Sequence, residues 1–281
     1  MKQVTLQSLQ RLNVYAALAH GIATIVFAII FFVVVRRSFR SADIYRIGAK
    51  EPNEGDPQDS VNYPVELKRV NSFNVCWWIL GFFAFTCIFH ILYASNAFGY
   101  QKYLIQGWNP IRWVEYAISA SIMILILGSL TGLRDVTTLI PLFFLVSGVQ
   151  GCGFLVEKQL IQLVPDMVTI KAATAIGWYL LIGAWIPIAY SLIKVFQDVK
   201  KFNAKIPSWI PLLLIVQFFQ YSRFGLVQLK QIRNMGADFL QSEHKYIWLS
   251  FQAKLALGAF ISYGLLERQR RSDQEGPYVS A

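Results

Sequence analysis

Seven long apolar stretches constrain the fold of this 281-residue chain more than any other feature of its sequence. A helix needs about 20 apolar residues to cross the ~30 Å hydrocarbon core of a bilayer, and each stretch meets that length. The sequence therefore predicts an all-α membrane protein with seven transmembrane helices. The predicted spans are residues 12–35, 73–98, 110–133, 137–160, 168–196, 207–230 and 241–266.

The composition is that of a membrane protein rather than a soluble one. Hydrophobic residues make up 55% of the chain and charged residues only 15%, whereas a soluble domain carries about 25% charged residues. In a soluble protein, the net charge of +10 would suggest a nucleic-acid partner. Here the basic residues lie mostly in predicted loops and at span ends, so we expect lipid headgroups and no nucleic acid as the partner.

The sequence contains no catalytic or metal-binding pattern. Cys76, Cys87 and Cys152 each lie inside an apolar run without CxxC spacing. An odd number of such cysteines indicates buried free thiols rather than a disulfide framework or a zinc site. Since no nucleophile triad, metal-ligand spacing or phosphate-binding loop is found either, we expect neither an enzyme nor a metal site.

The spans are predicted to form a single domain over residues 1–266, followed by a polar C-terminal tail, residues 267–281. The longest connection, residues 36–72, is rich in turn formers and charge and is too polar for the bilayer. It has the length for a small extramembrane structure. The N-terminal residues lead into the first span without a small-residue cleavage site, so no removable signal peptide is expected.

Seven spans place the two termini on opposite sides of the membrane, here called side A (N-terminal) and side B (C-terminal). Side B holds the 36–72 loop, the basic loop KKFNAK (200–205) and the sequence ERQRR (267–271). Side A holds fewer basic residues. By the positive-inside rule, the lysine and arginine count therefore favours side B as the cytoplasmic side.

Lys254 lies in the middle of the last span, in the run WLSFQAKLALGAFISYGLL (248–266). A charged lysine at the centre of a lipid-facing helix costs at least ~2.5 kcal/mol. Glu115, the only carboxylate well inside a predicted span, lies at a similar depth in the third span. The pair is compatible with two roles. It is either a structural salt bridge, or a partly neutral lysine that forms a Schiff base with an aldehyde and uses Glu115 as its fixed anion.

Other polar residues fall in the same layer of the predicted bundle. Ser250 precedes Lys254 by one turn on the same helix face. His20 and His90, in the first and second spans, lie at nearly the same distance from side A at ~1.5 Å per residue. A lone histidine at such a position is most often only a packing residue, but two in the same layer as the lysine weaken that interpretation. Ser119, in the third span, could join the layer or bond its own helix backbone.

Aromatic residues of the fifth and sixth spans provide a candidate pocket for a long apolar aldehyde. Trp178 and Trp185 lie in the fifth span, and the sequence QFFQYSRFG (217–225) lies in the sixth. Aromatic residues at these spacings are commonly ordinary packing. These residues are compatible with the Schiff-base interpretation but do not by themselves indicate it.

The lysine in the seventh span resembles that of microbial-type retinal proteins, and the finer pattern resembles the heliorhodopsins. WVEYAISASIM (113–123) is similar to the family's third-helix motif, and SFQAK (250–254) is similar to its seventh-helix motif. His20 and His90 match the family's two histidines in helices one and two. Thr86 stands where a serine is common in the family. The long first connection also fits, because the heliorhodopsin loop is partly β-structured and can carry a short β-hairpin.

The resemblance implies a seven-helix rhodopsin-like bundle with all-trans retinal bound covalently to Lys254. Glu115 would be the counterion, and Ser250, Ser119 and Tyr116 would lie near the Schiff base. His20, His90 and Thr86 would line a polar, proton-holding cavity toward side A. The implied retinal pocket comprises Met123, Gln150, Trp178, Trp185, Tyr221, Phe224 and Gln228.

The resemblance also implies an integral protein of the cell membrane that forms a homodimer. Its N-terminus would be cytoplasmic, against the lysine and arginine count. Several matched motifs outweigh that small charge bias, so we expect side A to face the cytoplasm.

Three functions remain possible from the sequence. The first is a retinal photosensor without net ion pumping, which signals to a cytoplasmic partner that the sequence does not identify. It is favoured because the third and seventh spans carry no carboxylate on the side B half to relay a proton. The second is a light-gated proton conductance or proton transporter. The third is a non-photochemical seven-helix receptor or transporter in which Lys254 and Glu115 form only an ion pair.

Overall fold

The computed structural model describes residues 4–35, 41–49, 65–201 and 206–275. In this part of the chain, seven helices are long and apolar enough to cross a membrane, which confirms the prediction of seven spans. The helices are α1 (Leu6–Ile29), α2 (Val75–Ala94), α4 (Pro110–Leu130), α5 (Val136–Leu160), α6 (Met167–Lys201), α7 (Trp209–Arg233) and α8 (Phe239–Glu275). A short helix that the sequence did not predict, α3 (Tyr100–Ile105), lies between α2 and α4.

The ends of the first and last helices differ from the predicted spans. α1 begins at Leu6 rather than at residue 12, because Thr5 and Ser8 cap its first turn through reciprocal side-chain and backbone hydrogen bonds. The π-helical turn Ile30–Val34 ends this span. At the other end, α8 continues to Glu275, so residues 267–275 of the predicted polar tail are helical. The remaining tail residues, 276–281, lie outside the described part of the chain.

The first connection contains the small sheet that the family resemblance implied. Strands β1 (Ser41–Ala49) and β2 (Val65–Asn74) pair antiparallel, with a register irregularity between Ile44 and Tyr45. The Tyr45 amide donates to the Arg134 carbonyl oxygen at 2.9 Å. This contact attaches the hairpin to the connection between α4 and α5 on side B. The middle of the predicted loop, residues 50–64, lies outside the described residues.

The seven long helices form a closed ring in the order α1, α2, α4, α5, α6, α7, α8, and α8 packs back on α1. Aromatic and aliphatic side chains such as Phe31, Phe82 and Ile124 fill the interior toward side B. Large apolar side chains on the outer surface, such as Val33 and Tyr179, are exposed in the protein alone. In the bilayer these outer side chains contact lipid, so the molecule is an integral membrane protein.

Candidate functional site

The site is centred on an ion pair between two helices. Lys254 of α8 and Glu115 of α4 are both at most 2% exposed, and Lys254 Nζ lies 3.0 Å from Glu115 Oε1. Each charge alone would be costly to bury, and the pair offsets much of that cost. The structure thus brings together the two residues that the sequence placed at the same depth.

Two residues of α2 complete the shell of the ion pair. Lys254 Nζ donates to Thr86 Oγ1 at 2.6 Å, so this residue, predicted for the polar cavity with the histidines, contacts the lysine directly. The Tyr93 hydroxyl donates to Glu115 Oε2 at 3.2 Å, so each carboxylate oxygen accepts one hydrogen bond. Tyr93 was not predicted from the sequence. It follows Thr86 by seven residues, which places it on the same helix face two turns later.

The two predicted histidines stack on each other beside this shell. The rings of His20 and His90 are 5.4 Å apart and nearly parallel, with an interplanar angle of 10°. His90 Nδ1 lies 2.8 Å from Asn13 Oδ1. His20 Nδ1 and Nε2, together with His90 Nε2, have no hydrogen-bond partner among the described residues. Three buried ring nitrogens therefore remain available for proton exchange or for water.

A cavity extends from Lys254 between the helices on the far side of the ring. Its free space is about 860 Å³ when space open to the surroundings is included, and about 80 Å³ of this is available to the centre of a water-sized molecule. The lining includes all predicted Schiff-base neighbours and six of the seven predicted pocket residues. These are Tyr116, Ser119, Ser250, Met123, Gln150, Trp178, Tyr221, Phe224 and Gln228.

Trp185 is the predicted pocket residue that does not line this cavity. Its indole packs edge-on against the ring of Tyr221 at 5.9 Å and against Phe218 at 5.4 Å. Trp185 therefore contacts Tyr221, which lines the cavity, rather than the cavity itself. Helical spacing alone does not distinguish these two layers, because both residues face inward.

Two glycines give the cavity wall its shape. A Cβ at Gly225 would lie 2.6 Å from the Trp178 ring, and a Cβ at Gly153 would overlap the Trp113 ring. Both indoles line the cavity, so the glycines allow them to lie flat against the helices. An apolar, aromatic cavity with one buried amine in its wall and an unpartnered Ser119 hydroxyl fits a long conjugated aldehyde such as retinal.

A second buried charge cluster lies toward side A and was missed by the sequence analysis. Arg112 of α4 forms ion pairs with Glu157 of α5 and with Glu243 of α8, and all three side chains are at most 2% exposed. The guanidinium also faces the rings of Trp113 at 4.7 Å and Tyr246 at 4.2 Å. Glu115 is therefore not the only carboxylate inside the bundle.

The physical reason for this correction is the fold of the α2–α4 connection. Helix α3 buries Tyr100 and Leu104 against the side A ends of the long helices. Residues near the helix ends, such as Glu157 and Glu243, are thereby buried inside the bundle. Asn109 also fixes the position of both carboxylates. Its backbone N–H donates to Glu157 at 3.1 Å, and its side-chain amide donates to Glu243 at 2.7 Å.

The buried charges are distributed unequally between the two halves of the bundle. In the described part of the chain, every buried lysine, arginine, histidine or acidic residue lies at the level of Lys254 or toward side A. The interior toward side B holds apolar residues and a few neutral polar ones such as Ser121 and Gln217. The sequence predicted a lack of carboxylates toward side B for two spans. The structure shows a lack of buried ionisable residues on that side in all the described helices.

The fold is that of the microbial rhodopsins. The structure is similar to the crystal structure of a light-driven proton pump from Leptosphaeria maculans, with a TM-score of 0.50 and 11% sequence identity. The match covers 94% of this chain and 96% of the other. At this identity the likeness establishes the fold and not the activity. No curated protein sequence matches the chain.

The family model for heliorhodopsins matches residues 9–266, and the chain therefore belongs to the heliorhodopsin family. The match covers all seven long helices and confirms the resemblance drawn from the motifs around Glu115 and Lys254. Together with the rhodopsin fold, it makes the protein a retinal-binding, light-absorbing membrane protein.

Proposed function

We propose that the protein is a photoreceptor that carries all-trans retinal on Lys254 as a protonated Schiff base, with Glu115 as the counterion. One observation carries the proposal. The buried Lys254 amine lies in the wall of an apolar, aromatic cavity, with the Glu115 carboxylate 3.0 Å away. A buried lysine in such a pocket is suited to form an imine, and the adjacent carboxylate stabilises the charged form.

The chain's own residues hold the proton at Lys254 Nζ in the dark. Glu115 Oε1 and Thr86 Oγ1 are both within hydrogen-bonding distance of that nitrogen. Tyr93 donates to the other Glu115 oxygen and fixes the carboxylate plane. When bound, retinal supplies light absorption and a photoisomerisation that alters the geometry at this nitrogen.

The proposed role is sensory, with no net ion pumping and no enzymatic catalysis. A proton leaving Lys254 Nζ has acceptors on side A, namely Glu115, His20 and His90. Toward side B, no buried ionisable relay is available among the described residues. The proton is therefore held in the side A cluster and returned to the same nitrogen, and the signal is a change of shape.

Family membership supports a proposal for the cellular setting. We propose that the N-terminus and side A face the cytoplasm, that the protein is a homodimer in the cell membrane, and that a cytoplasmic partner receives the signal.

Retinal reconstitution tests the proposal directly. Addition of all-trans retinal to the purified protein is expected to produce a visible absorption band that Lys254→Ala abolishes. The matched control is Lys171→Ala, which changes an exposed lysine of α6 and should leave the band unaltered. A wild-type protein without a visible band, or a band that survives Lys254→Ala, would contradict the assignment.

A further inference from the structure

The two ring nitrogens of His90 have different surroundings, and the difference determines which one carries the hydrogen. Nδ1 lies 2.8 Å from Asn13 Oδ1. The orientation of the Asn13 amide is fixed independently, because Asn13 Nδ2 donates to the Leu9 carbonyl oxygen at 3.0 Å and to the Tyr100 hydroxyl at 3.1 Å. A carbonyl oxygen can only accept, so His90 Nδ1 must be the protonated nitrogen.

The hydrogen bonds continue from Asn13 to a carboxylate. The Tyr100 hydroxyl accepts from Asn13 and donates to Glu243 Oε1 at 3.3 Å. Burial raises the pKa of Tyr100 above its ordinary value, so the phenol keeps the proton that it donates. His90, Asn13, Tyr100 and Glu243 thus form a hydrogen-bonded series. Each of its donors points in the same direction, from His90 toward Glu243.

The end of this series carries excess negative charge. Arg112 is shared by two carboxylates, Glu157 and Glu243, so the buried cluster bears one more negative than positive charge when all three are ionised. The four members of the hydrogen-bonded series are at most 2% exposed. Apolar residues such as Leu9, Leu104 and Ile247 pack around them. In this low-dielectric setting the carboxylate polarises the whole series.

His90 lies close to the lysine that bears the proposed proton. It follows Thr86 by one turn of α2, about 6 Å along the helix axis, and Thr86 Oγ1 is 2.6 Å from Lys254 Nζ. The His90 ring also meets the edge of Tyr93 at 5.7 Å, and Tyr93 donates to Glu115. A proton crosses a separation of this order through a bridging water, because direct transfer needs heavy atoms about 2.6–3.2 Å apart.

We propose that Asn13, Tyr100 and Glu243 are positioning residues that hold neutral His90 as its Nδ1–H tautomer, so that the Nε2 lone pair accepts the proton released from Lys254 Nζ after light absorption. This inference rests on the proposed function. In the step, the N–H bond at Lys254 breaks and its electron pair stays on that nitrogen. A new N–H bond forms at His90 Nε2, and the resulting imidazolium is stabilised through the series by Glu243. The reverse transfer restores the dark state.

His20, which stacks on His90, has no hydrogen bond that fixes its tautomer among the described residues. Neither ring nitrogen of His20 has a hydrogen-bond partner among the described residues, so nothing there selects one of its tautomers. The series thus distinguishes His90 from His20, although both are buried in the same layer. The arrangement resembles the use of a carboxylate to orient an imidazole in catalytic triads, with two intervening side chains.

Nitrogen NMR of ¹⁵N-histidine-labelled protein tests the tautomer without depending on light activity. The chain has three histidines, so single replacements assign each signal. Wild-type His90 is expected to be the Nδ1–H tautomer in both the retinal-free protein and the pigment. Asn13→Leu should give a tautomer mixture, and Tyr100→Phe, which leaves only the Leu9 carbonyl to orient the Asn13 amide, should give a smaller fraction of the Nε2–H form. Glu157→Gln, which changes the other partner of Arg112 but not the series, should leave His90 unchanged.

Flash spectroscopy of the pigments supplies the second measurement. Tyr100→Phe and Glu243→Gln should slow proton loss from Lys254 Nζ by about tenfold, as is common for residues that orient a functional histidine. Glu157→Gln keeps every hydrogen bond of the series but removes the excess negative charge of the cluster, so it should slow this rate by less than Glu243→Gln does. An Nε2–H tautomer in wild-type His90 would overturn the inference even if every variant misfolded. The inference would also be overturned if Tyr100→Phe and Asn13→Leu left both the His90 tautomer and the rate of proton loss from Lys254 Nζ unchanged. Absence of a visible band in the wild type would instead refute the proposed function.

Discussion

At the residue scale, the central feature is how a buried lysine and a buried carboxylate are kept in one apolar bundle. Glu115 Oε1 faces Lys254, and Oε2 accepts from Tyr93, so no oxygen of the anion lacks a donor. Buried ion pairs are strongly destabilising when one partner is removed. The position of the counterion relative to the nitrogen should therefore control both pigment stability and colour.

Glu115→Gln is expected to shift the visible band to longer wavelength. The anion stabilises the positive charge on Lys254 Nζ in the ground state, so its removal narrows the excitation gap. The absorption spectrum of the reconstituted pigment measures this shift. Glu157→Gln is the matched control, because it changes a buried carboxylate that pairs with Arg112. An unchanged band in Glu115→Gln would remove Glu115 from the counterion role.

Tyr93→Phe is expected to shift the band in the opposite direction, by less than Glu115→Gln does. Loss of the phenol hydrogen bond, of about 1.5–3 kcal/mol to a charged group, concentrates negative charge on the carboxylate that faces Lys254. The control is Tyr263→Phe, which alters an exposed tyrosine of α8. A shift to longer wavelength in Tyr93→Phe would show that the phenol does not act through the carboxylate.

Several site residues could be predicted from the sequence because helix geometry alone determines their depth. Lys254, Glu115, His20 and His90 lie well inside apolar spans, where counting from the span end is sufficient. Arg112, Glu157 and Glu243 could not be placed, because their burial depends on how the α2–α4 connection covers the helix ends. Tertiary packing, not periodicity, makes these terminal residues interior.

At the element scale, the long helices can be predicted from the length of the apolar stretches in the sequence, whereas the short elements cannot. The six-residue helix α3 (Tyr100–Ile105) is too short to form on its own. It is held by packing of Tyr100 and Leu104. The hairpin was expected only from the family resemblance, since its strands are polar and irregular in pattern. Its attachment through Tyr45 to the α4–α5 connection is a tertiary contact that no local signal predicts.

The packing of α7 against the cavity yields a prediction for Gly225. In Gly225→Ala, the new methyl group would lie 2.6 Å from the Trp178 ring and push it into the space proposed for retinal. Overpacking of this kind costs about 1–3 kcal/mol, so retinal binding should weaken by roughly tenfold. A retinal titration followed at the visible band measures the change.

Gly183→Ala is the matched control for that titration. Gly183 lies on α6, and a Cβ built there meets nothing within 4 Å. Both variants add one methyl group to a membrane helix, so a general effect on helix stability would appear in both. Equal retinal affinity in Gly225→Ala and wild type would contradict the proposed position of the chromophore beside Trp178.

At the scale of the whole molecule, the bundle is electrically one-sided. Its buried ionisable residues lie in the half from Lys254 to side A, and an apolar core occupies the half toward side B among the described residues. A proton pump needs exchangeable groups on both sides of the Schiff base. The family match and the likeness to a proton pump establish the retinal-binding fold, but neither determines whether protons cross this protein.

The most direct test of a sensor without transport is photocurrent under voltage clamp, in cells supplied with all-trans retinal, with the visible band used to confirm pigment formation. The account predicts pigment and no light-driven current at any membrane voltage or proton gradient. A current that follows the proton gradient would contradict it, because protons would then be crossing the apolar half toward side B.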